Sequence, residues 1–85
     1  MNSNSGKASR EVVQGLINDM DTFSKYVTEE LKRMLILTDE LGETWKDPQY
    51  NQFNQFITEL VLSLSKDLKI FDEATNALQK KLDMY

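Results

Sequence analysis

Apolar side chains recur along this chain at alternating intervals of four and three. Val13, Ile17, Met20, Ser24, Val27, Leu31, Met34, Thr38, Leu41 and Trp45 keep that rhythm unbroken, and of these only Ser24 and Thr38 are polar. Such spacing draws a heptad seam along one face of a helix. Leu16, Phe23 and Leu37 widen the stripe, as a helix in a bundle requires. A second run reads Tyr50, Phe53, Ile57, Leu60, Leu64, Leu68, Phe71, Thr75, Leu78, Leu82 and Tyr85, with one additional interval of four between Leu64 and Leu68. Phe56, Val61 and Ala74 broaden its face. No stretch alternates apolar and polar residues as a strand would.

Between the runs lies Gly42-Glu43-Thr44-Trp45-Lys46-Asp47-Pro48. Pro48 disfavours the helical conformation at Asp47 and is itself suited to the first position of a new helix. Asp47 is therefore expected to cap that helix, its carboxylate accepting from the amide of Gln49 or Tyr50. The first helix ends either with Gly42 as a left-handed cap or by running on to Trp45. At its other end, Ser9 is the best N-cap and Glu11 suits the positive first turn. Gly15 weakens the early turns.

The pattern predicts an all-α fold, an antiparallel two-helix hairpin. Residues 1–8 are expected to form a flexible tail, helix 1 to cover about 9–42, the turn 43–47 and helix 2 about 48–83. Each helix is about 50 Å long at 1.5 Å per residue, and a connection this short makes them antiparallel neighbours. Asp21 with Lys25 and Glu29 with Arg33 are acid-first pairs at the four-residue spacing that favours helices. The stripes are wider than one neighbour can cover: Leu35, Ile36, Leu37, Val61, Leu62 and Ile70 fall partly outside a single seam. An exposed row of that kind is one that soluble monomers avoid, and small cores are commonly supplemented by oligomerisation. Two hairpins are expected to pair into a four-helix bundle, the partner being a second copy or a different helical hairpin. The interface is expected on Leu31, Met34, Leu60, Leu64 and Leu68.

Composition narrows the chemistry. The 85 residues make one small domain, and with no His and no Cys the familiar zinc, disulfide, haem and Cys–His nucleophile sites are excluded. Ten basic against fourteen acidic residues leave a net charge of −4, which argues against nucleic acid and against anionic lipid as partners. No apolar window is long enough to span a membrane. The polar start, Met1 to Ser9, lacks the apolar stretch of a signal peptide, so synthesis in the cytoplasm is expected.

The acidic doublets Glu29-Glu30, Asp39-Glu40 and Asp72-Glu73 point their side chains about 100° apart on a helix, so neither member shares a pocket with the other. They read as solvated surface, as do Lys32-Arg33 and Lys80-Lys81, the latter complementing the dipole of the second helix. No calcium loop, phosphate-cradling glycine loop or nucleophile elbow is present. No enzymatic activity, cofactor or metal is expected. The amides of Asn51, Gln52, Asn54 and Gln55 offer a recognition surface, since amides donate and accept. Trp45, the single Trp, is expected to plug the end of the bundle against Leu41 and Tyr50 or Phe53.

The stretch from Leu41 to Phe53, with Trp45 in the turn between two long helices, resembles the central turn of the small Trp-x-Gly secreted proteins of the early-secreted-antigen type, associated with type VII secretion. Asp47 stands where that family has Gly, a change that a helix cap tolerates. Phe53 matches the aromatic the family commonly carries about eight residues beyond its Trp. The family's export signature, Tyr-x-x-x-Asp or Glu beyond the second helix, is not matched there; Tyr26-Val27-Thr28-Glu29-Glu30 has the spacing inside helix 1. The resemblance implies a dimerising protein secreted without a cleaved signal peptide, travelling with a partner that carries the signal. It implies partner recognition by secretion machinery or a larger secreted protein through Trp45, Asp47, Tyr50 and Phe53. The rival expectation is a cytoplasmic adaptor, chaperone or antitoxin that masks a hydrophobic helix of a larger protein.

Overall fold

The computed structural model describes residues 5–84. Helix α1 (Ser5–Thr44) and helix α2 (Pro48–Asp83) are joined by only Trp45, Lys46 and Asp47 and lie side by side, antiparallel, in a hairpin 64 Å long and 20 × 16 Å across. There is no strand among the described residues, and no helix is long and apolar enough to cross a membrane.

The start of α2 follows from three residues. Asp47 is extended (φ −90°, ψ 143°), its carboxylate accepts from the Gln49 amide at 2.9 Å, and Pro48 occupies the first helical position, where no amide is needed. The Asp47 carbonyl accepts from the Tyr50 amide at 2.9 Å. Asp47→Ala should therefore lower stability by about 1 kcal/mol, read as a fall in the thermal midpoint that Asp47→Asn largely avoids.

The bounds of α1 differ from the expectation at both ends. The helix passes through Ser9 and begins at Ser5, so Ser9 is not its cap; no Pro intervenes, and Lys7 and Ala8 are good helix formers. Of the tail expected over residues 1–8, residues 5–8 are already helical and residues 1–4 lie outside the described residues, as does Tyr85. At the other end α1 continues to Thr44, and the Trp45 amide still donates to the Leu41 carbonyl at 2.9 Å. No described residue has a positive φ, so Gly42 is not a left-handed cap and the turn is shorter than 43–47.

The seam between the helices is thin. Ile17, Leu31, Ile57, Val61 and Leu82 are its buried apolar residues, with Val27 and Met34 packed on the central Leu31–Ile57–Val61 cluster. The other buried seam positions are Ser24, Thr38 and Thr75. Thr38 and Thr75 satisfy their hydroxyls by donating to the Met34 and Phe71 carbonyls one turn back, at 2.7 and 3.0 Å. The Ser24 hydroxyl instead crosses to α2 and donates to Asp72 Oδ1 at 2.6 Å. At the open end Arg10 Nη1 donates to the Leu82 carbonyl at 3.3 Å, one of the last carbonyls of α2.

On α2 the seam takes a different register from the one expected. It runs Tyr50, Asn54, Ile57, Val61, Leu64, Leu68, Phe71, Thr75, Leu78, Leu82, in unbroken intervals of four and three. Val61 is buried and Asn54 half-buried, whereas Phe53 and Leu60 are 38% and 37% exposed, one position to the side. The unbroken heptad of α1 keeps contact over its full length only with an equally unbroken heptad. On the surface Glu29 pairs with Lys32 at 3.5 Å, not with Arg33, and Asp21 and Lys25 do not reach ion-pair distance. The pair is solvated and adds little.

Candidate interaction site

Two regions carry the residues singled out from the sequence. The first is the turn. Trp45 is half-buried, its ring 5.8 Å from those of both Tyr50 (67° between planes) and Phe53 (46°). It leaves a shallow cleft lined by Gly42, Lys46, Asp47, Pro48 and Asn51 beside the two rings of Trp45 and Tyr50. Tyr50 is the fixed member of the group: its hydroxyl donates to the Thr38 carbonyl at 2.7 Å, and its ring lies against Gly42. Trp45, Asp47, Tyr50 and Phe53 thus form one end surface, apolar with a single carboxylate that is already engaged at the α2 amide. Trp45→Ala should cost about 1.5 kcal/mol, half of what a fully buried Trp loses. Chemical denaturation followed by circular dichroism measures it, and an unchanged midpoint would show that the indole does not hold the turn.

The amide-rich first turns of α2 are divided by the fold. Asn51, Gln52 and Gln55 are exposed, Asn54 is half-buried in the seam, and Gln55 already donates to Glu59 Oε2 at 3.0 Å.

The second region is a face of the hairpin. Leu16, Phe23 and Leu37 each stand one residue before a seam position of α1, and Phe53 and Leu60 one residue before a seam position of α2. In an antiparallel pair, the residues preceding these seam positions on the two helices lie on the same face of the two-helix ribbon. Tyr26, Phe56 and Ile70 stand next outward on that face, and Leu41 and Leu64 lean toward it from the seam. All are exposed. Phe23 and Phe71 meet there across the helices at 5.5 Å. Two open apolar clefts follow, one lined by Phe23, Val27, Leu64, Leu68 and Phe71, the other by Met34, Leu37, Leu41, Phe53 and Ile57.

The opposite face carries Asp21, Thr28, Leu35 and Gly42 from α1 and Asn51, Thr58, Ser65, Asp72 and Gln79 from α2. Its groove sets Thr28, Lys32, Ser65, Lys69 and Asp72 around a floor of Leu31, Leu35, Val61 and Leu68. The exposed large apolar side chains are therefore concentrated on one face, while the other carries mostly polar residues with Leu35 among them, and Ile36 and Leu62 lie outside this division.

The five residues expected at an interface are distributed unevenly. Leu60 and Leu64 lie exposed on the apolar face, and Met34 lines one of its clefts. Leu68 is half-buried in the seam. Leu31, 6% exposed, is covered by α2 of its own chain. Leu16, Phe23, Phe53 and Tyr26 were not among the expected interface residues. Leu16, Phe23 and Tyr26 carry their signal on α1 itself, immediately before or two residues after a seam residue, whereas the place of Phe53 becomes readable only once the register of α2 is known.

No family model, no curated protein and no solved structure matches this chain.

Proposed function

We propose that this hairpin is a non-enzymatic interaction protein whose apolar face is covered by another helical hairpin, its own copy or a different chain. The observation that carries the reading is the one-sided distribution of exposed aromatic and aliphatic side chains, with Phe56 and Ile70 62% and 64% exposed. A face of this extent on a small hairpin with a thin seam gains more from association than from solvation. The resemblance of the Leu41–Phe53 turn to the Trp-x-Gly proteins adds a fate to this reading: export through a type VII route, with the Trp45 end as the surface that machinery or a co-exported partner reads.

The test uses a Phe56→Ser/Ile70→Ser variant, altered only on the outer row of the apolar face. Cross-linked in expressing cells, the wild-type chain is expected in a complex and the variant at monomer size, with helical content unchanged. A variant that stays in the same complex overturns the reading. Export is measured separately in a bacterium with a type VII system. Presence in the culture fluid without a cytosolic marker is expected, and retention in the cell replaces the secreted fate with that of a cytoplasmic adaptor.

A further inference from the structure

We infer that the apolar face is occupied by a second copy of this chain, turned so that α1 of one copy lies antiparallel on α1 of the other. This rests on the association reading above and specifies its partner.

The area fits. Phe23, Tyr26, Leu37, Phe56 and Ile70 are 53–65% exposed, and Leu16, Phe53, Leu60 and Leu64 add to them. The aromatic side chains among them offer about 150–250 Å² each when fully exposed and the aliphatic ones less, so at these exposures the face presents roughly 800 Å² of apolar surface. That exceeds the patch of ~300–600 Å² found on typical monomers and equals what one partner contributes to a stable interface of standard size, ~800 Å². The face also runs along a ribbon 64 Å long. A second ribbon laid lengthwise along it covers the stretch that carries Phe23, Tyr26, Leu37, Phe56 and Ile70.

The charges choose the copy and its orientation. Near its middle the apolar face holds Glu30 and Asp67, each one residue before a seam position, and Arg33, next outward on α1. Among the described residues neither Glu30 nor Arg33 is ion-paired within the hairpin, since Glu29 and Lys32 pair with each other on another side. Two ribbons can meet face to face by two kinds of two-fold rotation. If the axis runs along the ribbon, α1 lies on α2 of the other copy, and the carboxylates of Glu30 and Asp67 are brought together on an apolar interface. If the axis crosses α1 between Glu30 and Arg33, α1 lies on α1, and each Glu30 meets the other copy's Arg33, twice by symmetry. The second arrangement replaces like-charge repulsion by two ion pairs, and such juxtapositions decide which of two geometries with similar apolar burial is adopted. It also brings Tyr26 opposite the other copy's Leu37, both more than half exposed in the single hairpin.

The test is charge reversal with the full-length chain, its mass followed by light scattering over a hundredfold concentration range. The wild type is expected to be a dimer. Glu30→Arg alone and Arg33→Glu alone each place like charges across the axis, and should raise the dimer Kd at least about tenfold. Mixing the two single variants in equal amounts should restore the dimer mass, as should the doubly reversed Glu30→Arg/Arg33→Glu chain. Circular dichroism at one fixed concentration confirms that these surface changes leave the helices formed. If the wild type dimerises and the single variants do so equally well, the α1-on-α1 arrangement is overturned while association through the apolar face stands. A wild type that remains a monomer throughout overturns the second copy as the occupant.

Discussion

Leu31→Ala is expected to destabilise the hairpin by about 3 kcal/mol, whereas Leu60→Ala costs less than about 1 kcal/mol within a single chain. Both remove the same atoms from residues with the same place in the sequence-derived stripe. They differ in what covers them. Leu31 is 6% exposed and packs with Ile57 and Val61, with Val27 and Met34 alongside, so its loss leaves a void in the apolar cluster at the centre of the seam. With Ser24, Thr38 and Thr75 occupying other seam positions, few other contacts compensate. At roughly 4–8 °C per kcal/mol for a domain of this size, Leu31→Ala should lower the thermal midpoint by about 12–24 °C. Leu60 is 37% exposed, and its truncation should act on association, visible as a higher dimer Kd and a weaker concentration dependence of the midpoint. Equal losses at low protein concentration would contradict the division between seam and face.

The contrast marks how far the sequence could be read. The hairpin was legible because two signals act locally: an uninterrupted heptad over α1, and Asp47-Pro48, which ill suits a helix interior and well suits a helix start. The register of α2 was less so. Phe53 and Leu60 are as apolar as their neighbours and draw the eye into the seam, while Asn54 at the true position is polar. The only trace of the correct register was the additional interval of four between Leu64 and Leu68, which vanishes when Asn54 and Val61 replace them. Hydrophobicity ranks residues, but pairing with a strict heptad on α1 selects phase, and phase is a property of two helices together. The one-sidedness of the hairpin follows from that phase. The N-terminal bound of α1 was missed for a different reason: a good cap at Ser9 does not stop a helix whose preceding residues tolerate the helical conformation.

Gly42→Ala is expected to lower stability by about 2 kcal/mol, against the usual sense of the change. In an exposed helix interior, Gly to Ala stabilises by about 1 kcal/mol, and Gly15→Ala should do so, since a Cβ there meets nothing within 4 Å. At Gly42 the added carbon would lie 2.5 Å from Tyr50 Oη, 2.6 Å from Cζ and 2.8 Å from Cε2. The ring cannot swing aside cheaply. Its hydroxyl is held by the Thr38 carbonyl at 2.7 Å, its edge by Trp45, and its backbone by the Asp47 carbonyl at the first turn of α2. Making room costs the hydrogen bond and loosens the contact that closes the turn, an overpacking penalty of about 1–3 kcal/mol added to a lost bond of about 1 kcal/mol; the gain in helix propensity offsets only part of this. The diagnostic is a change of sign. With Tyr50→Ala in the background, the obstruction is gone, and Gly42→Ala should become stabilising like Gly15→Ala. A double-mutant cycle by urea denaturation reads the coupling directly. Gly42→Ala that stabilises in the wild-type background would mean that the turn is not closed by the Tyr50 ring on a bare Cα. The glycine would then be no more than a weak point in α1, and the Trp45–Tyr50–Phe53 end surface would lack the fixed member that the proposed recognition needs.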